Sequence, residues 1–142
     1  MSLCMPHMKI TLALLLAGAL APAGLMAEEQ KPYTVVDGKV DKGTYNGYRR
    51  FHGICFTCHG QDANGSSFAP ALVESLKTLS YDTFKETVVN GRTITTQAGA
   101  PRVMPPFKEN ADVMKYLDDI YAYLKARSDG AIPGGRPKKI PN

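Results

Sequence analysis

The chain of 142 residues is 44% hydrophobic and 21% charged, with three cysteines and a formal net charge of +4. That length suits one domain with a buried core and excludes a large multidomain enzyme, and the composition is not that of a wholly disordered chain. Three cysteines cannot all pair within one chain, so the count is awkward for a pure disulfide scaffold.

Residues 10–20 (ITLALLLAGAL) run apolar behind Lys9, and small residues up to Ala27 precede Glu28 and Glu29. A basic start, a short apolar stretch and a small-residue exit describe a cleavable secretory signal over residues 1–27. Cleavage is expected after Ala27, with Ala23 as the alternative site and Met8 as an alternative start. An uncleaved anchor is the competing reading; Pro22 and the glycines beside it count against it, since a span needs about 20 apolar residues in a row. Cleavage removes Cys4 and leaves Cys55 and Cys58.

Residues 28–43 form a polar leader, in which Val35-Val36-Asp37-Gly38-Lys39-Val40 offers a short hairpin over an Asp-Gly turn; a flexible leader fits the same residues. A domain is expected over residues 44–130. Thr44 can cap a first helix that carries Gly47, Phe51 and Cys55 on one face at i, i+4 steps. Residues 61–70 are a loop by composition, and a short helix follows through Val73, Leu76 and Leu79. Ser80 caps the next helix, with Asp82 in its first turn, Phe84 and Val88 stacked, and Gly91 as its stop. Residues 92–109 are rich in Gly, Thr and Pro, and Pro105-Pro106 excludes a helix there. Asn110 caps the last helix, whose Val113, Leu117, Ile120 and Leu124 form one apolar stripe ending at Gly130. Residues 131–142 read as a basic flexible tail. Lys125, Arg127, Arg136, Lys138 and Lys139 face only Asp129 near that end, so the basic balance belongs to the tail. It is not a sign of nucleic-acid binding, though it can steer an acidic partner. The expected fold class is a small all-α domain of three to five helices, whose long loops need something to pack against.

Cys55-Phe56-Thr57-Cys58-His59 is C-x-x-C-H, the attachment motif of c-type haem. One helical turn presents both thiols to the haem vinyl groups as thioethers, and His59 turns its imidazole to the iron as proximal ligand. Its other ring nitrogen needs an acceptor, commonly a loop carbonyl. A thioredoxin-like pair would need an α/β pattern that is absent. Zinc held by His52, Cys55, Cys58 and His59 would crowd four ligands into eight residues. A plain disulfide would leave His59 and Met104 without a role.

Over residues 44–128 the chain resembles a class I c-type cytochrome. Gly47 and Phe51 match that family's first helix, and Ile120 and Tyr123 its partner on the terminal helix. Pro70 and Leu72 resemble the loop whose proline carbonyl holds the proximal histidine. Met104, followed by Pro105-Pro106-Phe107, resembles the loop that carries the distal methionine. The resemblance implies one covalent haem c, held through Cys55, Cys58, His59 and Met104. Met114 and His52 are the other candidates for the distal position, the first placed in a helical turn and the second on the proximal side. Arg92 and Arg102 flank the distal loop and either pair with haem propionates or face solvent.

Six-coordinate iron has no open position for substrate, which points to electron transfer and away from catalysis; a thioether ligand raises the reduction potential. Longer blocks narrow the resemblance to the methanol-metabolism-related c-type cytochromes: residues 45–52, 69–72, 75–78, 88–92 and 121–127, with Gly135-Arg136-Pro137 near the end. That resemblance implies a monomeric periplasmic carrier that is not an enzyme. It would accept electrons from a quinoprotein (PQQ-dependent) methanol or alcohol dehydrogenase and pass them to a downstream cytochrome or oxidase of the respiratory chain, with no stable membrane insertion. Relatives can carry an extra cysteine near the terminal helix, where this chain has Lys115. The rival expectations are a subunit of a permanent oxidoreductase complex and a small haem peroxidase.

Overall fold

The structure, a computed structural model, describes residues 30–141. The expected secretory signal, the first two residues of the expected leader and Asn142 lie outside them.

The Asp-Gly hairpin forms: β1 (Val35–Val36) pairs antiparallel with β2 (Lys39–Val40). Asp37 and Gly38 both take positive φ, 49° and 70°, as the tight two-residue turn requires. Helix α1 (Lys42–Ile54) follows at once. Its cap is Asp41, three residues before the Thr44 that the sequence suggests. The extended Asp41 backbone lets Oδ1 accept the Thr44 N–H at 2.9 Å, while Oδ2 accepts the Thr44 hydroxyl and the Thr34 N–H, each at 2.7 Å. Thr44 is fully buried, so its hydroxyl needs that partner. Burial works to raise the Asp41 carboxyl, but the hydrogen bonds from Thr44 and Thr34 outweigh it and hold the group below its ordinary value.

Beyond Cys55 the chain turns through α2 (Phe56–His59), a 3₁₀ turn (Gln61–Ala63) and the short α3 (Leu72–Ser75). Helix α4 (Tyr81–Asn90) keeps its expected cap, Ser80, and its expected stop, Gly91, with Phe84 and Val88 buried. Residues 92–104 are not a plain loop. β3 (Arg92–Thr95) and β4 (Pro101–Met104) pair antiparallel, with Arg92 opposite Met104 and Ile94 opposite Arg102. The β-branched run Thr93-Ile94-Thr95-Thr96 before Gly99 was the available signal.

The terminal helix is two. α5 (Ala111–Lys115), capped by Asn110, ends at Tyr116, and α6 (Leu117–Ser128) starts beyond it. The break leaves Val113, Leu117, Ile120 and Leu124 all buried, as their spacing predicts. The described residues thus hold six α-helices against the three to five expected, because both the haem-motif helix and the terminal helix are interrupted. The core is helical, and the strands are short additions to it.

The largest correction concerns residues 131–142. Ile132 is buried, and Arg127 donates from Nη1 to its carbonyl at 3.0 Å. β5 (Lys138–Lys139) joins β2 in parallel, and Arg136 donates from Nε to the Tyr45 hydroxyl at 2.9 Å. The described part of the segment is a strap across α1 and not a loose tail. Composition misled because only Ile132 needs burial, and the remaining contacts use backbone and one guanidinium. Among the described residues no helix is long and apolar enough to cross a membrane.

α1 and α6 cross at Gly47, where a Cβ would stand 1.8 Å from the Asp119 carbonyl oxygen. Phe51 and Tyr123 close the crossing with ring centroids 5.6 Å apart. Gly53, on the same helix, has nothing within 4 Å of its Cβ position. The same substitution at the two sites should therefore have opposite signs in thermal melts. Gly47→Ala should cost about 3 kcal/mol by forcing the helices apart, whereas Gly53→Ala should gain roughly 0.5 kcal/mol from helix propensity. Asp41→Ala should cost about 1 kcal/mol at neutral pH. That deficit should shrink as pH falls through the lowered Asp41 value, because the unmodified chain then loses its own carboxylate.

Candidate functional site

A cavity of about 680 Å³ opens between α1, α4, α6 and the β3–β4 hairpin, within the range that cofactor sites occupy. Cys55, Cys58, His59, Pro70, Met104, Arg92 and Arg102 all line it, so the fold brings these seven together. A second cavity of about 730 Å³, lined by Lys31, Asp41, Tyr81, Asp118, Asp119 and Asp129 among others, holds no cysteine, histidine or methionine. The chemistry belongs to the first.

α1 ends by delivering Cys55 to the wall of the cavity, and α2 carries Cys58 and His59 round one further turn. Both thiols are free; Cys55 is half-buried and Cys58 exposed. Burial pushes the Cys55 thiol up to about 11, helped by the neighbouring Cys58. His59 is 7% exposed, and its Nδ1 donates to the Pro70 carbonyl oxygen at 3.0 Å. With Nδ1 taken, Nε2 is the nitrogen left to a ligand, and the ring is held in one tautomer. Burial lowers the proton affinity of the imidazole, against the Pro70 bond, which acts to raise it. The balance favours the neutral imidazole, the form that binds metal.

Met104 arrives from the hairpin. Residues directly opposite in an antiparallel pair share a face, so Met104, Arg92, Ile94 and Arg102 lie on one side of it. Neither arginine forms an ion pair among the described residues, and both line the cavity. Met114 packs against the core and His52 stands among Tyr48, Phe56 and Tyr123; neither lines the cavity.

The cavity suits a large apolar group with a metal. Its walls are mostly apolar, from Leu72, Leu79, Phe84, Val88, Phe107 and Leu124, and Phe68, Val103 and Ile94 at its margin remain 72%, 65% and 39% exposed. Apolar surface left open around a cavity signals something that covers it. Two thiols, an imidazole and a thioether on those walls are the donor set of a covalently bound haem. The hairpin's part in the wall is what sequence reasoning missed.

Residues 44–124 match the family described as Cytochrome C oxidase, cbb3-type, subunit III. The chain is 46% identical over 114 residues to cytochrome c-553I of Paracoccus denitrificans, covering 80% of this chain and 50% of that protein, so it spans about half the length of this relative. Cytochrome c-555 of Methylococcus capsulatus is 45% identical over 101 residues, covering 70% of this chain and 75% of the relative. The crystal structure of the c-type cytochrome XoxG from Methylobacterium extorquens AM1 superposes with a TM-score of 0.67 at 39% identity, covering 82% of this chain and 77% of that one.

In the holoprotein both sulfurs should be committed to the haem, so iodoacetamide at mildly alkaline pH should label neither Cys55 nor Cys58, even in denaturant. Peptide mass spectrometry reads the outcome, and labelling of either cysteine would remove it from the attachment.

Proposed function

The chain belongs to that family and with it to the class I c-type cytochromes, and on this premise we propose that it is an exported one-electron carrier serving quinoprotein methanol or alcohol oxidation. Its electrons would come from a PQQ-dependent dehydrogenase and go to a downstream cytochrome or oxidase. Haem c is covalent in this family, and Cys55 and Cys58 fit its attachment motif. When bound, the haem supplies the reversible exchange of one electron at its iron.

The chain's own residues do the rest. Cys55 and Cys58 would tether the group from one helical turn. His59 is oriented by Pro70 to offer Nε2, and Met104 offers its thioether from β4. With His59 and Met104 both engaged as ligands, the chain would leave no open position for a substrate, which favours a carrier over a peroxidase. The thioether favours the reduced state, and apolar walls that exclude water favour it further. Arg92 and Arg102 stand on the Met104 face of the hairpin, where they can neutralise propionates. The observation that carries this reading is the His59–Pro70 hydrogen bond on the same cavity as Met104.

The methanol link is supported by the sequence blocks at residues 45–52, 88–92 and 121–127 and by the 39% identity to XoxG. Export to the periplasm is supported by the signal pattern of residues 1–27. The family description, which names an oxidase subunit, favours a second reading as a permanent subunit of an oxidoreductase complex. A free carrier exchanges electrons at a salt-dependent rate; a permanent subunit co-purifies with its enzyme.

The ferric protein should show a far-red sulfur-to-iron absorption band, and the ferrous protein should resist carbon monoxide. Met104→Ala should abolish the band, admit carbon monoxide and lower the potential; a variant unchanged in all three would remove Met104 from the iron. Rapid mixing of ferric protein with a PQQ methanol dehydrogenase and methanol should give reduction within enzyme turnover. No reduction there would remove the proposed donor and leave the haem assignment standing.

A further inference from the structure

The strap formed by the residues after Gly130 closes on one buried carboxylate. Asp62 lies just past His59, is 8% exposed and has a left-handed φ of 56°. Its Oδ1 accepts the Gly135 N–H at 2.9 Å, and its carbonyl oxygen accepts Nε and Nη2 of Arg127 at 3.4 and 3.3 Å. The same Arg127 reaches from Nη1 to the carbonyl of buried Ile132. His52 Nε2 stands 3.7 Å from Oδ1. Gly134 sits so close that a Cβ there would come within 2.9 Å of Oδ2. A buried charge and a left-handed non-glycine backbone are both unfavourable alone, so these surroundings hold Asp62 in place.

The turn so held leads directly to the imidazole. The Gly65 N–H donates to the His59 carbonyl at 2.7 Å, closing residues 60–65 onto that histidine. Gly65 also abuts the Pro70–Ala71 peptide, where a Cβ at Gly65 would meet the Ala71 nitrogen at 2.6 Å. Pro70 is the residue whose carbonyl accepts His59 Nδ1. The route therefore runs from the strap to Asp62, along the backbone of residues 62–65, and from Gly65 to the acceptor of the imidazole proton.

We infer that Asp62, clamped by Gly135 of the C-terminal strap and by Arg127 of α6, is a positioning residue that sets the His59–Pro70 hydrogen bond and, through it, the donor strength of His59 toward the haem iron. The inference rests on His59 as an axial ligand. An acceptor that grips the far nitrogen of a ligating imidazole fixes its tautomer and raises its basicity. Loosening the grip weakens the ligand and favours the reduced state.

The test uses the holoprotein and its Asp62→Ala, Asp62→Asn and Gly134→Ala variants. Three readouts are taken: exchange of the His59 Nδ1 proton by NMR, the reduction potential, and the ferric far-red band. Asp62→Ala should exchange that proton several-fold faster and raise the potential. Asp62→Asn keeps an acceptor for Gly135, so its exchange should match the unmodified protein and its potential should move less. Gly134→Ala, which presses on the carboxylate from the strap side, should fall between. If Asp62→Ala does not retain haem, Gly134→Ala against Asp62→Asn decides the matter. Unchanged exchange and potential in the perturbing variant would overturn the inference, even with a lower melting temperature. Equal shifts in Asn and Ala would also overturn it, by assigning the effect to charge. Absence of the far-red band from the unmodified protein would instead overturn the His59/Met104 assignment itself.

Discussion

The contact that organises this protein is the crossing of α1 and α6 at Gly47. With no Cβ in the way, the two backbones meet at a distance that no other residue permits. That crossing decides where each helix can deliver its side chains. α1 is brought out so that Cys55 reaches the cavity wall, and α6 is turned so that Leu117, Ile120 and Leu124 form part of its lining. The Phe51–Tyr123 and Tyr48–Tyr123 ring contacts extend the same interface, the latter at a centroid distance of 5.5 Å. Tyr123 is fully buried. Burial and the nearby Asp62 push its phenol well above the ordinary value, while Arg127 close by acts in the other direction.

A cavity of this size with apolar walls is a liability in a small domain unless something fills it. The haem bound by this family answers that requirement, and it explains how helices as short as α2 and α3 hold their places. They are too short to be stable by propensity and gain their order from what they pack against. The hairpin is in the same position: two strands alone are marginal in water, and this one has a face carrying Met104 turned to the cavity. Cofactor and fold are coupled through these pieces.

Much of this was legible in the sequence because the signals are local. C-x-x-C-H requires only one helical turn to place its groups, and the cap and stop of α4 are read from Ser80 and Gly91 in place. The stripe Val113, Leu117, Ile120 and Leu124 survives the break at Tyr116, since the i, i+4, i+7, i+11 spacing keeps its face across a single irregular residue. The misplaced cap shows the limit. Asp41 and Thr44 are both good capping residues, and only the burial of Thr44 tells which one faces the helix N–H groups. The hairpin was missed because glycine, threonine and proline suggest loop, and its pairing depends on register between segments that are individually unremarkable.

The sequence by itself determined the haem motif and the helical core, which depend on covalent order and on periodicity along one segment. The roles of Met104 and Gly47 came from resemblance to the c-type cytochromes. Tertiary structure alone decided that the basic end of the chain is a folded strap. It also decided that Asp62 is buried beneath that strap, with its carboxylate accepting the Gly135 N–H. Those facts arise from contacts between residues as far apart as Asp62 and Gly135. Such pairs leave no periodic trace, because a single backbone N–H and a single carboxylate suffice to make them.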